Sequence, residues 1–248
     1  MLAIIGGSGL TALSNLEVSR RQVVPTPYGQ PSGALTFGKI LGHDVVFLAR
    51  HGDGHTIPPH EVNYRANTWA LHAQGVTKVV SIASVGGIRN DLRPGMLAVP
   101  DQLIDYTHGR AATFFTRGER GVHHIDFTLP YSQALRTACL AAAQQAGENL
   151  IDGGVYAATQ GPRLETAAEI DRLERDGADM VGMTGMPDAA LAREIGLCYA
   201  AIAVVVNDAA GRGGSKESIA MSDLAAMLQH AMQKVTSILG SLVRLHGD

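Results

Sequence analysis

Two short segments in the first part of the chain carry residues suited to binding an anion. The Gly-rich turn Gly6–Gly9 follows an apolar run and offers backbone N–H groups together with the hydroxyl of Ser8, as anion-binding turns do. Arg50 and His51 follow a second apolar run, and an arginine guanidinium can bind a phosphate through two parallel hydrogen bonds. A structural turn and a solvated surface turn are the alternative interpretations. Neither GxGxxG nor GxxxxGK[ST] is present, so the sequence does not favour a dinucleotide or a nucleoside triphosphate.

Other polar residues with chemical potential also follow apolar runs further along the chain. They are Ser84, Glu165, Met183, Thr184 and Asn207. Three of them have an ordinary structural explanation: Glu165 fits a first-turn acid of a helix, Met183 fits a core, and Asn207 fits a turn. Ligands of parallel α/β sheets usually bind beyond the C-terminal ends of the strands. Because all of these residues fall at such ends, the sequence predicts one composite site.

A cluster of histidines makes a metal site an alternative. His51, His55 and His60 lie close together in the chain. The Gly and Pro residues between them keep these side chains from sharing one face of a regular element, and no Cys or Glu stands at a usual ligand spacing. We therefore expect no metal.

The composition excludes several classes of protein. Hydrophobic residues make up 46% and charged residues 17% of the 248 residues, which is typical of a folded chain. A net charge of −3 provides no basic field for non-specific nucleic-acid binding, and no apolar run approaches the ~18 residues of a membrane span. The chain begins with an apolar strand and no basic segment, so we expect no signal peptide. Cys139 and Cys198 indicate no disulfide framework, which predicts a reducing, cytoplasmic location.

Strand and helix patterns alternate along the chain. The predicted strands are Leu2–Ile5, His43–Ala49, Lys78–Ile82, 96–104, Gly154–Ala158, Asp179–Met183 and Leu197–Val206, with loops at 83–87 and 107–130. The predicted helices are Pro58–Gln74, Tyr131–Ala146, Glu165–Asp176, Pro187–Ile195 and Ser222–Leu245. This order predicts an α/β fold in which residues 1–248 form a single domain, with a central, twisted, mixed but mostly parallel sheet flanked by helices.

Several segments together resemble one known family. They are IIGGSGL from Ile4, ARHGDGHTIPPHEVNYRANTWAL from Ala49, LRPGMLAVPDQLIDYT from Leu92, GPRLETAAEI from Gly161, GADMVGMTGMPDAALAREIGLCYA from Gly177 and the strand ending in Asn207. In this order they are similar to the trimeric purine nucleoside phosphorylases and methylthioadenosine phosphorylases, over nearly the whole chain. The resemblance implies the nucleoside phosphorylase fold, a homotrimer, and cleavage of the N-glycosidic bond of a purine nucleoside. Inorganic phosphate is then a co-substrate, and no cofactor is implied.

The resemblance also assigns roles to individual residues. Met183 would lie under the ribose, and His124 would reach into the sugar pocket of a neighbouring subunit, with His123 as the alternative. Leu164 stands where the family carries an aromatic residue that stacks on the base; it keeps an apolar surface but weakens stacking. The implied phosphate-binding residues are Ser8, Arg50, His51, Thr184 and the backbone of Ser84. The implied catalytic residues are Arg50, His51 and Asn207, the last of which would stabilise negative charge on the departing purine.

Glu165 and Asn207 predict which purine is bound. A 6-oxopurine presents an N1–H donor, which a carboxylate accepts, and O6 and N7 acceptors, to which an amide donates. The pair also resembles the 6-oxopurine branch of the family, and Ala209 stands where adenine-specific members carry a further carboxylate. Asp208 is the alternative base-reading residue if the register differs by one position.

The segment before the last helix predicts the group at the 5′ end of the sugar. The resemblance aligns Met221 with a position where family members that bind ordinary ribonucleosides carry a His. Ile219 and Leu224 are close by in the chain. An apolar pocket with a thioether suits a 5′-methylthio group. We therefore expect phosphorolysis of 5′-methylthioinosine to hypoxanthine and 5-methylthioribose 1-phosphate. The alternatives are a 6-oxopurine phosphorylase of inosine and guanosine, a methylthioadenosine phosphorylase and, from a different class, a non-catalytic nucleoside-binding module.

Overall fold

The computed structural model describes residues 1–116, 121–219 and 221–246, apart from the side chains of 221–226 and 246. Its strands are β1 Leu2–Gly6, β2 Glu17–Gln22, β3 Leu35–Ile40, β4 His43–Ala49, β5 Lys78–Gly87, β6 Leu97–Val99, β7 Gln102–Asp105, β8 Leu150–Asp152, β9 Val155–Ala158, β10 Met180–Gly182 and β11 Cys198–Asp208. Its helices are α1 Tyr64–Ala73, α2 Gln133–Ala146, α3 Ala167–Arg175, α4 Asp188–Glu194 and α5 Met221–His246, and a 3-10 turn spans Gly213–Ser215.

These strands join in one mixed sheet. Neighbouring strands follow the order β2-β3-β4-β1-β5-β10-β9-β7, while β11 pairs with β5 and continues to β6 and β8. Most of these pairs are parallel, including β1 with both β4 and β5; the antiparallel pairs include β10 with β5 and β11 with β6. The predicted α/β fold with a mixed, mostly parallel sheet flanked by helices is confirmed.

Both faces of the sheet are covered, which explains the near-continuous apolar runs in its strands. Leu2 and Ile4 of β1 belong to the core cluster that contains α2 and α5, whereas Ala3 and Ile5 belong to the cluster that contains α1 and α4. This alternation follows from the two-residue period of a strand. Within the described residues, none of the helices combines the length and apolar character needed to cross a membrane.

One edge of β5 changes partner, and the change creates an opening in the sheet. β11 pairs with β5 from Lys78 to Gly87, so β1 and β10 must share the opposite edge. The pairing with β1 ends at Ser81, and the pairing with β10 begins at Gly86. Residues 82–85 of β5 therefore lie between two strands that do not meet, at the C-terminal end of β1.

Several predicted boundaries were wrong, each for a local reason. The segment 83–87 is part of β5 rather than a loop, because β11 supplies hydrogen bonds along its whole length. The expected strand 96–104 is divided into β6 and β7 around Pro100, which cannot donate a ladder hydrogen bond. Helix α1 begins after Pro58, at the cap residue Asn63, whose side chain accepts from the backbone N–H of Ala66. Strands β2, β3 and β8 were not predicted; β2 is exposed at every position and shows no apolar alternation.

Candidate active site

A cavity of about 780 Å³ opens beside the gap along β5. It is lined by nine of the predicted site residues: Ser8, Arg50, His51, Ser84, Leu164, Glu165, Met183, Thr184 and Asn207. His124 is exposed and does not line this cavity of its own chain. The side chains of Met221 and Leu224 lie outside the described part of the chain. The structure thus brings together residues that lie in, or follow, six strands: β1, β4, β5, β9, β10 and β11.

Arg50 lies at the base of the cavity and is only 1% exposed. Its Nη1 donates to the backbone carbonyl of Ile82 at 3.1 Å, and its Nη2 donates to the hydroxyl of Ser81. Its Nε lies 3.6 Å from Oδ2 of Asp188. A guanidinium has five N–H groups. Two are bonded to Ile82 and Ser81 and Nε–H faces Asp188, so one N–H on each Nη nitrogen remains for a ligand. Sequence reasoning missed Asp188, which stands in a segment interpreted only as a helix start.

The Gly-rich turn packs closely against the groups around it. A Cβ on Gly7 would lie 2.6 Å from the carbonyl oxygen of Ile82 and 2.9 Å from Nη1 of Arg50. Gly9 has a φ of +79°, and a Cβ there would lie 2.4 Å from Cγ of Leu228 in α5. Glycine is therefore required at both positions, since a side chain would displace either the guanidinium or the helix.

His51 is buried beside Arg50 and supplies an acceptor rather than a charge. Its Nδ1 lies 2.8 Å from the backbone carbonyl of Ile57. A carbonyl only accepts, so Nδ1 carries the proton, and Nε2 of the neutral ring is an acceptor. Burial, reinforced by the charge of Arg50, lowers the pKa of His51 to about 4. A neutral His51 can accept a hydrogen bond from a protonated phosphate oxygen.

His55 is a site residue that sequence reasoning considered only as a metal ligand. Its Nε2 lies 2.8 Å from Oγ of Ser8, and its ring centroid lies 4.7 Å from that of His51. The backbone of His55 has a φ of +58°, held by the turn in which the N–H of Ile57 donates to the carbonyl of His51. Among the described residues, no group of three or more His, Cys, Asp or Glu is placed to hold a metal ion.

Glu165 precedes α3 and faces the cavity. The helix is capped by Thr166, and Glu169 completes a capping box with it. The interpretation of Glu165 as a first-turn acid is therefore wrong, because Glu169 occupies that role. One carboxylate oxygen of Glu165 accepts from the hydroxyl of Thr159 at 2.6 Å, which leaves the other oxygen for a ligand.

Asn207 enters the cavity because β11 continues beyond its predicted end. A bulge between Val205 and Asn207 allows both Val206 and Asn207 to line the cavity. The amide of Asn207 donates to the backbone carbonyl of Asp208 at 2.6 Å, so one N–H and the side-chain oxygen remain free to bind a ligand.

Asp208, the alternative base-reading residue, does not line the cavity. One of its carboxylate oxygens accepts from the backbone N–H of Gly214 at 2.7 Å. The other lies 3.4 Å from Nη1 of Arg93. These contacts hold the carboxylate against the 3-10 turn and outside the cavity.

Arg110 is another residue that sequence reasoning missed. It lies in the 107–130 segment and donates to the carbonyls of Met183 at 2.8 Å, Met186 at 2.6 Å and Gln160 at 2.9 Å. It thereby joins the loop that contains Glu165 to the loop that contains Met183. A single arginine in a long polar segment gives no local sign of this role.

One part of the cavity wall is apolar. Ile219 and Leu228 line it, together with the small residues Ala209 and Ala210. Leu228 lies in α5, seven positions after the first residue of the helix, which is about two turns. Leu228 falls within the predicted last helix, Ser222–Leu245, and was not among the predicted site residues.

A known protein family matches almost the whole length of this chain. A sequence profile of the Phosphorylase superfamily matches residues 1–244. The chain belongs to the Phosphorylase superfamily. Its α/β fold is thus that of a phosphorylase.

Relatives within the superfamily differ in the names they carry. A protein of Xanthomonas campestris named "Probable S-methyl-5′-thioinosine phosphorylase" is 52% identical over 243 residues, covering 98% of this chain and 97% of its own length. The 6-oxopurine nucleoside phosphorylase of Pyrococcus furiosus is 41% identical over 250 residues, covering 98% and 92%. A structure of methylthioadenosine phosphorylase from Schistosoma mansoni in complex with adenine superposes with a TM-score of 0.94 at 33% identity, covering 99% of this chain and 91% of that one.

Proposed function

We propose that this phosphorylase cleaves 5′-methylthioinosine with inorganic phosphate, releasing hypoxanthine and 5-methylthioribose 1-phosphate. The observation that carries the proposal is the pair of base-facing groups in the cavity. Glu165 has one carboxylate oxygen held by Thr159 and one free, and Asn207 retains one free N–H. The free oxygen accepts from N1–H of a 6-oxopurine, and the amide donates to O6 or N7.

An adenine fits the same pair poorly. Its N1 is an acceptor and would face the carboxylate of Glu165, which leaves two acceptors opposed and unpaired. Asp208, the remaining carboxylate that could bind an N6 amine, is engaged by Arg93 and Gly214. The arrangement therefore favours hypoxanthine over adenine.

The apolar part of the cavity wall favours a substrate with a 5′-methylthio group over one with a 5′-hydroxyl. Ile219 and Leu228 offer no hydrogen-bond partner for a 5′-hydroxyl, whereas they can pack against a thioether. The name of the Xanthomonas campestris relative agrees with this choice. The resemblance assigns Met221, whose side chain lies outside the described residues, to the same end of the substrate.

The site is long enough to hold phosphate at one end and the base of the nucleoside at the other. Arg50 contacts Ser81 and Ile82 of β5, and Asn207 pairs with Gly86 of the same strand. At roughly 3.3 Å per residue the stretch from Ser81 to Gly86 spans about 16 Å. Phosphate would bind at the first end, with Ser8, Thr184, His51 and the backbone of Ser84, and the base at the other.

The chemistry follows from this order. A phosphate oxygen forms a bond to C1′ on the α-face of the sugar as the C1′–N9 bond breaks, through a transition state with oxocarbenium character. The electron pair of the broken bond enters the purine, and the free N–H of Asn207 stabilises the charge that develops at N7 and O6. Met183 would lie under the ribose, and Leu164 would cover one face of the base.

We also propose a homotrimer in which His124 completes the sugar pocket of a neighbouring subunit. Both His123 and His124 are exposed, and the ring of His123 contacts that of Phe115 of its own chain, with centroids 4.3 Å apart and a tilt of 40°. This contact already engages His123, which favours His124 as the residue that reaches a neighbour. Sedimentation at decreasing protein concentration, with activity measured on the same samples, tests this; a fully active monomer would contradict it. A cytoplasmic location is proposed because both cysteines are free thiols.

A substrate panel tests the function. Methylthioinosine, methylthioadenosine, inosine and adenosine are each supplied with and without phosphate, and release of the free base is measured. We expect methylthioinosine to give the highest kcat/KM and no base release without phosphate. Preference for inosine would favour a 6-oxopurine nucleoside phosphorylase, preference for methylthioadenosine would refute the role of Glu165, and binding without turnover would indicate a nucleoside-binding module.

A further inference from the structure

The carboxylate of Asp188 is an unusual neighbour for a phosphate site. It lies in the first turn of α4 and is 2% exposed. Its Oδ2 lies 3.6 Å from Nε of Arg50 and accepts no hydrogen bond. This oxygen is therefore buried from water and faces the guanidinium of Arg50 just beyond hydrogen-bond distance.

The groups that face Asp188 come from several elements. Arg50 follows β4 and Arg110 lies in the segment after β7, and both guanidinium charges act on the carboxylate. Tyr64 of α1 and Tyr199 of β11 also interact electrostatically with it. Burial raises the pKa of Asp188 to about 6, and the two arginines oppose that rise. The ionised form thus depends on the positive charge beside it.

An anion bound to Arg50 would compete for that charge. Without a ligand, Asp188 faces the positive charges of Arg50 and Arg110, and the neighbouring His51 is neutral. A phosphate on the two free N–H groups of Arg50 would place a second anion on the same guanidinium. Two like charges close together in a buried site cannot both remain fully ionised.

We propose that Asp188 takes up a proton when phosphate binds to Arg50, so that anion binding and protonation of this buried carboxyl are coupled. Asp188 is a positioning residue: its ionised form orients the guanidinium in the absence of ligand, and its neutral form leaves the full charge of Arg50 to the phosphate. The proposal rests on the proposed function, since it takes Arg50 as part of the phosphate site.

The coupling has a definite sign with pH. Because the complex binds one more proton than the free protein, affinity for the anion is highest below the pKa of Asp188 in the free protein. It weakens as pH rises, by up to about tenfold per pH unit, until Asp188 is ionised in both states. A site that bound anions through Arg50 alone would show no such dependence.

Isothermal titration calorimetry with sulfate tests the proposal. Sulfate is a dianion that does not itself titrate near neutrality, so protons taken up on binding come to the protein. Titrations near pH 7 in buffers of different ionisation enthalpy give the number of protons bound per sulfate. We expect uptake approaching about one proton in the natural protein and none in Asp188→Asn. Asp152→Asn is the matched control, because Asp152 pairs with the buried Arg136 away from the cavity, and it should behave as the natural protein does.

Two results would overturn the proposal. Sulfate binding without proton uptake in the natural protein would exclude the coupling, and undiminished uptake in Asp188→Asn would assign the proton to another group, His51 foremost. If Asp188→Asn does not fold, the affinity of the natural protein for sulfate between about pH 5.5 and pH 8 decides the matter, since a constant affinity refutes the proposal. Failure of the proposed function is separate: it would appear as absent phosphorolysis while sulfate still binds with proton uptake.

Discussion

Replacing Glu165 by glutamine tests base recognition, because it exchanges one carboxylate oxygen for an amide NH2 and leaves the shape of the side chain nearly unchanged. One carboxylate oxygen of Glu165 accepts from Thr159 at 2.6 Å, and the other faces the cavity. In Glu165→Gln the amide oxygen must keep the contact with Thr159 if that hydroxyl is to remain a donor. The amide N–H groups then take the cavity-facing position, where they oppose N1–H of hypoxanthine and match the unprotonated N1 of adenine.

The expected magnitude follows from these contacts. Loss of a hydrogen bond to a charged group removes about 1.5–3 kcal/mol, which lowers kcat/KM for methylthioinosine roughly 10- to 150-fold. A new neutral hydrogen bond to adenine adds about 0.5–1.5 kcal/mol, which raises kcat/KM for methylthioadenosine roughly 2- to 10-fold. The ratio of the two values should therefore change by more than about tenfold.

The assay measures kcat/KM for both nucleosides at saturating phosphate. Glu169→Gln is the matched control, because Glu169 lies four positions away in the capping box of α3 and glutamine is accepted there. This control should leave the substrate ratio unchanged. If Glu165→Gln also leaves the ratio unchanged while methylthioinosine is still cleaved, Glu165 does not bind N1, and the assignment of the base end of the cavity is wrong.

Three further changes address other parts of the site. Arg50→Ala should lower kcat/KM for phosphate by roughly 30- to 150-fold, as loss of about 2–3 kcal/mol in charge-assisted contacts implies, and unchanged phosphate kinetics would exclude the assigned site. Met221→His should raise activity on inosine and lower it on methylthioinosine, since an imidazole can hydrogen-bond a 5′-hydroxyl; an unaltered preference in the substrate panel would contradict this. His51 has a pKa of about 4 in the folded protein against 6.5 for the ordinary side chain, so its neutral form stabilises the fold at higher pH. Relative to His51→Gln, the unfolding free energy should fall by about 3 kcal/mol as pH decreases through that interval, and denaturant titrations showing a constant difference would refute it.

Local patterns in the sequence were sufficient for much of the architecture. Apolar runs predicted the cores of β1, β4 and β11, because a strand buried on both faces needs apolar side chains at every position. Strand β2 was missed because its exposed residues carry no periodic signal. The length of β5 was underestimated, since its last residues are held by pairing with β11 and not by their own composition.

The chain by itself determined which residues gather at the ends of strands, and hence most of the cavity lining. Residue type and local order are sufficient for this, because the C-terminal ends of parallel strands meet at one edge of a sheet. Ser8, Arg50 and Asn207 could all be proposed in this way. Their resemblance to a known family added roles that local chemistry alone left open.

Only the tertiary structure decided how those residues are used. Asp188, in the first turn of α4, meets Arg50, which follows β4. Asp208 is held outside the cavity, where it contacts Arg93, a residue 115 positions away in the chain. Glu165 faces the cavity because the capping box leaves it outside α3. Such partners depend on strand order and helix packing, which bring together groups whose separation along the chain carries no periodic signal. The ionisation of Asp188 and of His51 depends on how deeply the fold buries each side chain. The charge of the site therefore cannot be read from the sequence motif.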